Sequence, residues 1–230
     1  MATPVQYAGW AAAPGGGPRQ PEGAQYGPVI GKPFSATEVR RSAQTLNDGT
    51  LVEHSDIGRF YRDGQGRMRA ESPNRIEIFD PVARMEYDLN PENKTYRATP
   101  ISEKTVSMSV AVVGYHSSTW LSTDRLPDAA RRPSSPGRTE DVGTEVVSGI
   151  LARGSRVTSV IPVGAIGNNR EIKIVNERWY SDDLQALVRS SNNDPRFGLN
   201  TYELTSIEQG APDPSLFQPP AVYMLTHRNH

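Results

Sequence analysis

Four histidines, the side chains best suited to acid–base catalysis and metal binding, stand in the chain at His54, His116, His227 and His230. No two of them have the i, i+4 spacing that places a pair of metal ligands on one helix face. A serine follows His116 directly, but the G-x-S-x-G turn that exposes a catalytic serine is missing. We therefore predict that the protein is not an enzyme and that it holds no metal.

Other polar motifs have structural explanations. Gly164 and Gly167 have the spacing of a phosphate loop, but an alternating strand pattern follows them where such a loop needs a helix. The Asp182-Asp183 pair and residues 192–194 offer oxygen ligands without the spacing of a calcium loop. The chain contains no cysteine, which excludes disulfides and thiolate metal sites. We predict no cofactor.

Charge and hydropathy exclude two classes of partner. The 230 residues carry a formal net charge of −1, with acidic and basic residues interspersed, so nucleic acid is not an expected partner. No segment approaches the roughly 20 apolar residues of a transmembrane helix. The first residues have neither a basic region nor an apolar region, so we expect any export signal to be absent from this chain.

The N-terminal segment differs in composition from the remainder. Residues 1–28 are rich in glycine and proline, and their aromatic residues are Tyr7, Trp10 and Tyr26. Such a segment buries too little apolar surface to fold alone. We predict a flexible tail at 1–28, with these three aromatics as candidate subunit contacts, and a β domain at 29–230.

From residue 34 to residue 100 the pattern is typical of an antiparallel meander. The segments "NDGT", "DGQG", "DPVA" and "NPEN" are tight-turn signals between alternating strands. The predicted strands cover residues 38–46, 51–62, 67–71, 74–79 and 85–89, with a last one near Tyr96. Turns this short indicate that consecutive strands pair with each other.

Residues 101–140 interrupt this pattern, because serine, threonine, proline and arginine dominate there. We predict a long insertion loop with at most one edge strand or short helix. The meander then resumes, with strands predicted at 146–150, 157–161, 172–180, 186–190 and 199–209. After the last strand, Asp213 is a plausible N-cap with Pro214 behind it, so residues 213–217 should form one helical turn that directs Leu216 and Phe217 onto the sheet.

These elements predict a mainly β fold: a single curved antiparallel sheet or unclosed β-barrel, with a long insertion loop and little helix. Apolar and aromatic residues of the strands and their ends either pack across strands or line an open concave face. The second possibility gives the candidate ligand-binding residues Met85, Tyr87, Trp179, Tyr202 and Phe217.

Residues 177–220 resemble the closing half of the LolA-like and RseB-like envelope proteins, which also have a tryptophan-bearing strand, two further strands and an ending like "DPSLFQPP". The chain also resembles uncharacterised secreted proteins of acidobacteria, through "DGT", "YRDGQGR", "DP", "IPVGAIGN" and "NERWYS" at 48–50, 61–67, 80–81, 161–168 and 176–181. The first resemblance implies an unclosed β-barrel, a periplasmic location and the binding of lipoprotein acyl groups or the sensing of envelope stress.

We therefore predict an extracytoplasmic, periplasmic or secreted binding or sensing module of the bacterial envelope. Its expected partner is an apolar ligand, such as a lipid or lipoprotein, or an envelope protein that contacts the concave face. The alternative is a structural subunit that assembles into a homo-oligomer or extracellular polymer through its N-terminal tail.

Overall fold

The computed structural model describes residues 28–101 and 138–226. The predicted tail with Tyr7, Trp10 and Tyr26, and most of the predicted insertion, lie outside these residues. The strands are β1 Phe34–Thr45, β2 Leu51–Arg62, β3 Met68–Ser72, β4 Arg75–Asp80, β5 Met85–Asn90, β6 Thr95–Pro100, β7 Arg138–Val147, β8 Ile150–Ile161, β9 Ile172–Ser181, β10 Ala186–Asp194, β11 Gly198–Gln209 and β12 Met224–Leu225. A 3₁₀ helix, Pro214–Phe217, follows β11.

All twelve strands belong to one sheet, in the order β12-β6-β5-β4-β3-β2-β1-β11-β10-β9-β8-β7. The chain thus forms two meanders that meet where β1 pairs with β11, and β12 adds to β6 in parallel. The end strands β12 and β7 are not neighbours, so the sheet is open. The predicted mainly β class with one unclosed sheet is confirmed.

The register places three hairpin turns at one end of the sheet. Ala43 near the end of β1 pairs with Leu199 near the start of β11, and Asn193 near the end of β10 pairs with Val175 of β9. The turns β1–β2, β8–β9 and β10–β11 therefore share this end, which we call the distal end. The opposite, proximal end carries the turns β2–β3 and β7–β8.

Two apolar clusters form the core on either side of the first meander. The larger one contains Phe34, Phe60, Phe79, Ile101, Trp179, Val188 and Leu204 among others and reaches across both meanders. The smaller one is built on Ile78, Leu89 and Phe217. Ile78 and Phe79 are neighbours in β4 but belong to different clusters, because successive side chains of a strand point to opposite faces of the sheet.

The β7–β8 hairpin differs from the prediction, which continued one strand through Val146, Ser148 and Ile150. Val147 instead pairs with Ile150, and Ser148 and Gly149 form the two-residue turn between them. Both turn residues have positive φ, 50° and 84°, as a type I′ turn requires. The strand β7 also begins at Arg138, inside the predicted 101–140 insertion.

A β-bulge in β10 determines what surrounds Trp179. Leu187 pairs with Tyr180 and Arg189 pairs with Trp179, so Val188 is an extra residue in the ladder. A bulge shifts the in–out alternation by one residue. Val188 can therefore share the larger buried cluster with Trp179, while Arg189 stacks over the indole ring with 4.9 Å from Cζ to the ring centroid.

Candidate functional site

The C-terminal turn seals one face of the first meander, as the sequence predicted. Asp213 caps the 3₁₀ helix by accepting a hydrogen bond from the Ser215 backbone N–H at 2.9 Å, with proline behind it. Leu216 packs against the small cluster and Phe217 is fully buried in it. Arg69 of β3 donates to the Leu216 carbonyl at 2.8 Å. Residues 213–217, which we call the plug, therefore occupy an apolar groove with the chain's own side chains.

The five predicted ligand-binding residues do not lie together. Tyr87 packs against the small cluster around the buried Phe217, and Met85 lies on the same strand as Tyr87. Trp179 belongs to the larger cluster and Tyr202 packs against it. The structure thus places Tyr87 and Phe217 in one packed region and Trp179 and Tyr202 in another, and the role of all five residues in ligand binding stays a prediction.

An ion pair covers the solvent side of Trp179. Arg189 bonds both carboxylate oxygens of Glu145 across the sheet, at 3.0 and 2.6 Å, while its guanidinium stacks on the indole. The contact with Arg189 lowers the pKa of the Glu145 carboxyl. Trp179 is therefore held between core and ion pair, an arrangement that stabilises the second meander and leaves little of the ring accessible.

Glu38 is a buried carboxylate in β1, where the two meanders meet. Its Oε2 accepts a hydrogen bond from Arg40 at 3.0 Å. Among the described residues, no donor bonds its Oε1. An unsatisfied buried oxygen is costly, so a donor supplied by water or by a bound group would be stabilising at this position.

Arg62 joins the two meanders through its guanidinium. It donates to the carbonyls of Lys32 at 3.0 Å and Gln185 at 3.4 Å, and also to that of Leu184 in the β9–β10 turn. The same group lies over the Phe34 ring, 4.7 Å from its centroid. Burial lowers the pKa of Arg62 to about 10, so the side chain keeps its charge near neutral pH. These bonds hold the β9–β10 turn against the core.

Tyr180 gives the fold a measurable alkaline pH dependence. Burial raises the pKa of this phenol to about 12, whereas tyrosine in an unfolded chain titrates near 10. The stability contribution of the neutral phenol is therefore complete below about pH 10 and is lost as the pH rises towards 12. We expect the free energy of unfolding of the wild type to fall, relative to Tyr180→Phe, across this interval.

Urea unfolding of both proteins at about pH 9 and about pH 11.5 measures this difference. The free energy of unfolding of the wild type minus that of Tyr180→Phe should be lower at about pH 11.5 than at about pH 9. Absorbance near 295 nm, which follows tyrosinate directly, provides an independent titration. A difference that stays constant between the two pH values would contradict the assignment.

Among the described strands, none pairs with one edge of β2 over more than half its length. All of β2 pairs with β1, but β3 covers only residues 59–62. Residues 51–57 are exposed, and no other described strand lies beside them. Sequence reasoning identified β2 with its correct bounds but missed this edge, although the unequal lengths of the predicted second and third strands already indicated it.

The described residues contain no group of three or more histidine, cysteine, aspartate or glutamate side chains that could hold a metal ion. His54 lies exposed on β2, with Nε2 at 3.1 Å from a carboxylate oxygen of Asp56. His116, His227 and His230 fall outside the described residues. Within the described ranges, no helix is long and apolar enough to cross a membrane.

A cleft of about 750 Å³ opens beside β4–β6, lined by Asn74, Arg75, Asp88, Leu89, Asn90, Asn93, Thr95, Tyr96, Arg97 and Thr226. Arg75 bonds both oxygens of Asp88, at 2.8 and 3.2 Å. Because this lining is mostly charged or amide-bearing, the cleft does not suit the apolar ligand that the sequence predicts.

No known family profile matches the sequence, and no curated protein is similar to it. Solved structures do share parts of its architecture. A chain in the MucA/MucB complex of Pseudomonas aeruginosa is 18% identical with a TM-score of 0.38, over 83% of this chain and 56% of that one. The present chain thus spans a little over half of that protein's length.

Two further structures match over most of their own length. An uncharacterized conserved protein from Thermus thermophilus is 9% identical with a TM-score of 0.46, over 86% of this chain and 92% of that one. The lipoprotein LppX of Mycobacterium tuberculosis is 15% identical with a TM-score of 0.30, over 78% and 88%. At such identities and TM-scores, these matches carry no conclusion about activity or ligand.

Proposed function

We propose that the protein is a non-enzymatic binding module that takes up an extended segment of a partner polypeptide as an additional strand beside β2. The observation that carries this proposal is the edge formed by residues 51–57, beside which no described strand lies; we call it the free edge. A strand edge offers unpaired N–H and C=O groups, and strand addition uses them for affinity. The partner strand forms hydrogen bonds with residues 51–57, which β3 does not reach because it pairs only with residues 59–62.

The hydrogen-bond alternation identifies which groups of β2 face the partner. Leu46 donates to Thr50 at the β1–β2 turn, and Asp63 donates to Arg67 at the β2–β3 turn, both as hydrogen-bonded hairpin pairs. Counting alternately from these two pairs, the odd residues of the edge direct their N–H and C=O away from β1. These residues are Leu51, Glu53, Ser55 and Ile57.

The end strand β7 is protected against such pairing. In β7, Val142 is an extra residue between Asp141 and Gly143, so the strand is bulged midway along its length. Bulges and charged residues are common devices against edge-to-edge association. The free part of β2 pairs with β1 without a register shift. This contrast favours β2 as the edge used for recognition.

The side chains of the edge define the chemistry of the partner. One face presents Leu51, Glu53 and Ile57 around Ser55, and the other presents Asp56 beside His54. Apolar and oppositely charged cross-strand pairs are the favourable ones. The best partner is therefore an extended segment with alternating apolar residues and a lysine or arginine opposite the acidic side chains.

The wider setting of this function is also proposed. An extracytoplasmic location in the bacterial envelope follows from the sequence resemblance to LolA-like and RseB-like proteins. The unpaired edge supports a second candidate as well, a subunit that assembles with copies of itself by strand addition. Contact through Tyr7, Trp10 and Tyr26 stays a prediction, because these residues lie outside the described part.

Replacing Ser55 by proline tests the edge directly. The substitution removes one outward N–H and leaves the ladder with β1 intact, because Ser55 lies at a position whose N–H faces away from β1. The probe is a set of twelve-residue peptides selected on phage against the wild-type chain. We expect Ser55→Pro to weaken their binding at least tenfold, on the order of 1.4 kcal/mol, and Ser55→Thr, which keeps the N–H, to bind as the wild type does.

Amide hydrogen exchange with a bound peptide gives the second readout, since the odd residues of 51–57 should gain protection. Selected peptides that bind both variants equally, or a selection without binders, would overturn strand addition at this edge. Sedimentation velocity distinguishes the second candidate. A subunit that assembles through β2 should associate in a concentration-dependent manner and lose that association in Ser55→Pro.

A further inference from the structure

Large apolar side chains stand exposed on all three turns of the distal end. Phe197 on the β10–β11 turn is 66% exposed, and Val163 on the β8–β9 turn is 64% exposed. Ile166 shares the second of these turns, while Leu46 and Leu51 flank the β1–β2 turn and are also exposed. We call these five residues the distal tips. Hairpin turns usually carry polar residues because they face water.

The distal tips form a row of separate projections. Adjacent hairpins of the sheet are two strand spacings apart, about 10 Å. Polar residues such as Asp48, Asn168 and Arg196 lie between the apolar ones along the chain. A rigid protein partner would need a matching pocket for each tip. A fluid apolar phase closes around separate projections without such a match.

Local hydrogen bonds satisfy part of the backbone of these turns. In the β8–β9 turn, Gly164 donates to Asn168 at 2.7 Å, and the Asn168 side chain accepts from Ile166 and donates to the carbonyls of Pro162 and Arg170. Unsatisfied backbone groups are what normally keep turns out of hydrocarbon. These bonds reduce the polar cost of placing the turn against an apolar phase.

The other two turns also contain local backbone hydrogen bonds. Phe197 donates its N–H to the Asp194 carbonyl at 2.9 Å. In the β1–β2 turn, Leu46 donates to the Thr50 carbonyl at 2.8 Å, and the Thr50 N–H is bonded by the Asp48 carboxylate at 2.9 Å. Each of the three turns thus presents apolar side chains on a hydrogen-bonded frame.

Cationic side chains stand immediately behind the tips. Arg196 stacks on the Phe197 ring at 5.0 Å and bonds Asp194 at 2.6 Å. Arg170, Glu171 and Lys173 lie between the β8–β9 turn and the first residues of β9, and Lys173 forms an ion pair with Glu171 at 3.1 Å. Apolar tips with charged side chains of both signs behind them match the order of hydrocarbon and polar headgroups at a bilayer surface.

We infer that the distal end docks onto a phospholipid surface, with the apolar side chains of the three hairpin turns inserted among the acyl chains near the headgroups. This inference goes beyond the proposed strand addition and is independent of it, because it uses different residues of the chain apart from Leu51. The sheet then stands with its strands directed towards the membrane and its core held away from it.

Co-sedimentation of the full chain with vesicles of phosphatidylcholine containing a quarter phosphatidylglycerol tests the inference. We expect the wild type to bind and the double variant Val163→Ser/Ile166→Ser to lose at least tenfold in partitioning, since two apolar side chains leave the acyl region. Val82→Ser is the matched control. Val82 is 61% exposed on the β4–β5 turn at the proximal end, so its substitution should leave vesicle binding unchanged.

A tryptophan at the tip gives a readout that does not depend on affinity. The emission of Phe197→Trp should shift to shorter wavelength when vesicles are added, and that of Val82→Trp should not. Absence of wild-type binding to vesicles, equal losses in Val82→Ser and in the double variant, or binding abolished by 0.5 M salt would each overturn insertion. So would concentration-dependent self-association that disappears in the double variant, because the tips would then contact a second copy.

Discussion

Phe217→Ala is expected to lower the free energy of unfolding by about 3–5 kcal/mol, the usual cost of truncating a fully buried phenylalanine. Phe217 has no exposed surface and fills the groove between Ile78 and Leu89. The Arg67 guanidinium also lies 5.2 Å from the centre of its ring. Urea denaturation at neutral pH measures the loss.

Phe197→Ala is the control for this experiment, because it removes the same side chain from an exposed position. Its effect should stay within about 0.5 kcal/mol. A loss below about 1 kcal/mol in Phe217→Ala would show that the plug is not part of the cooperative core. The groove beneath it would then be available to a ligand, as the sequence prediction for Tyr87 and Phe217 supposes.

Gly198→Ala is expected to cost roughly 2–5 kcal/mol, because two unfavourable effects coincide. Gly198 has φ of +92°, a conformation that residues with a side chain rarely adopt. A Cβ there would also overlap the carbonyl oxygen of Ala43 in β1. The glycine thus permits the close approach of the β10–β11 turn to β1, where the two meanders join.

Gly164→Ala separates the two effects. Gly164 has a similar φ of +79°, but nothing lies within 4 Å of a Cβ built at that position. Its substitution should therefore cost only the strain of the left-handed conformation, about 1–2 kcal/mol. Thermal or urea denaturation measures both losses of unfolding free energy. Equal losses for the two alanine variants would show that the overlap with the Ala43 carbonyl oxygen adds no cost at Gly198.

The two proposals meet at the distal end of β2. Leu51 begins the free edge and also belongs to the distal tips. A molecule docked by its tips would hold the Leu51 end of the free edge next to the lipid surface. A segment emerging from the membrane or from a membrane-bound partner would then reach this edge without crossing the core. The plug and the larger apolar cluster pack against the sheet away from this edge.

Local patterns determined much of the secondary structure. The segments "NDGT" and "DGQG" bound β2 at its observed limits, because tight turns fix where alternation stops. Asp213 and Pro214 likewise identified the 3₁₀ turn, since capping depends on neighbouring residues alone. The hairpin at Ser148 and Gly149 was missed, because serine at positive φ is uncommon and alternation continues across a two-residue turn.

The candidate sites depend on longer-range relationships. The strand order separates Trp179 and Tyr202, on β9 and β11, from Met85 and Tyr87 on β5, and strand order has no local signal. The sequence by itself determined the strands, the turns and the mainly β class. The tertiary structure alone decided the strand order, the uncovered edge of β2 and the alignment of three apolar turns at one end. Strand alternation is set by adjacent residues, whereas register and burial are set by partners far away in the chain.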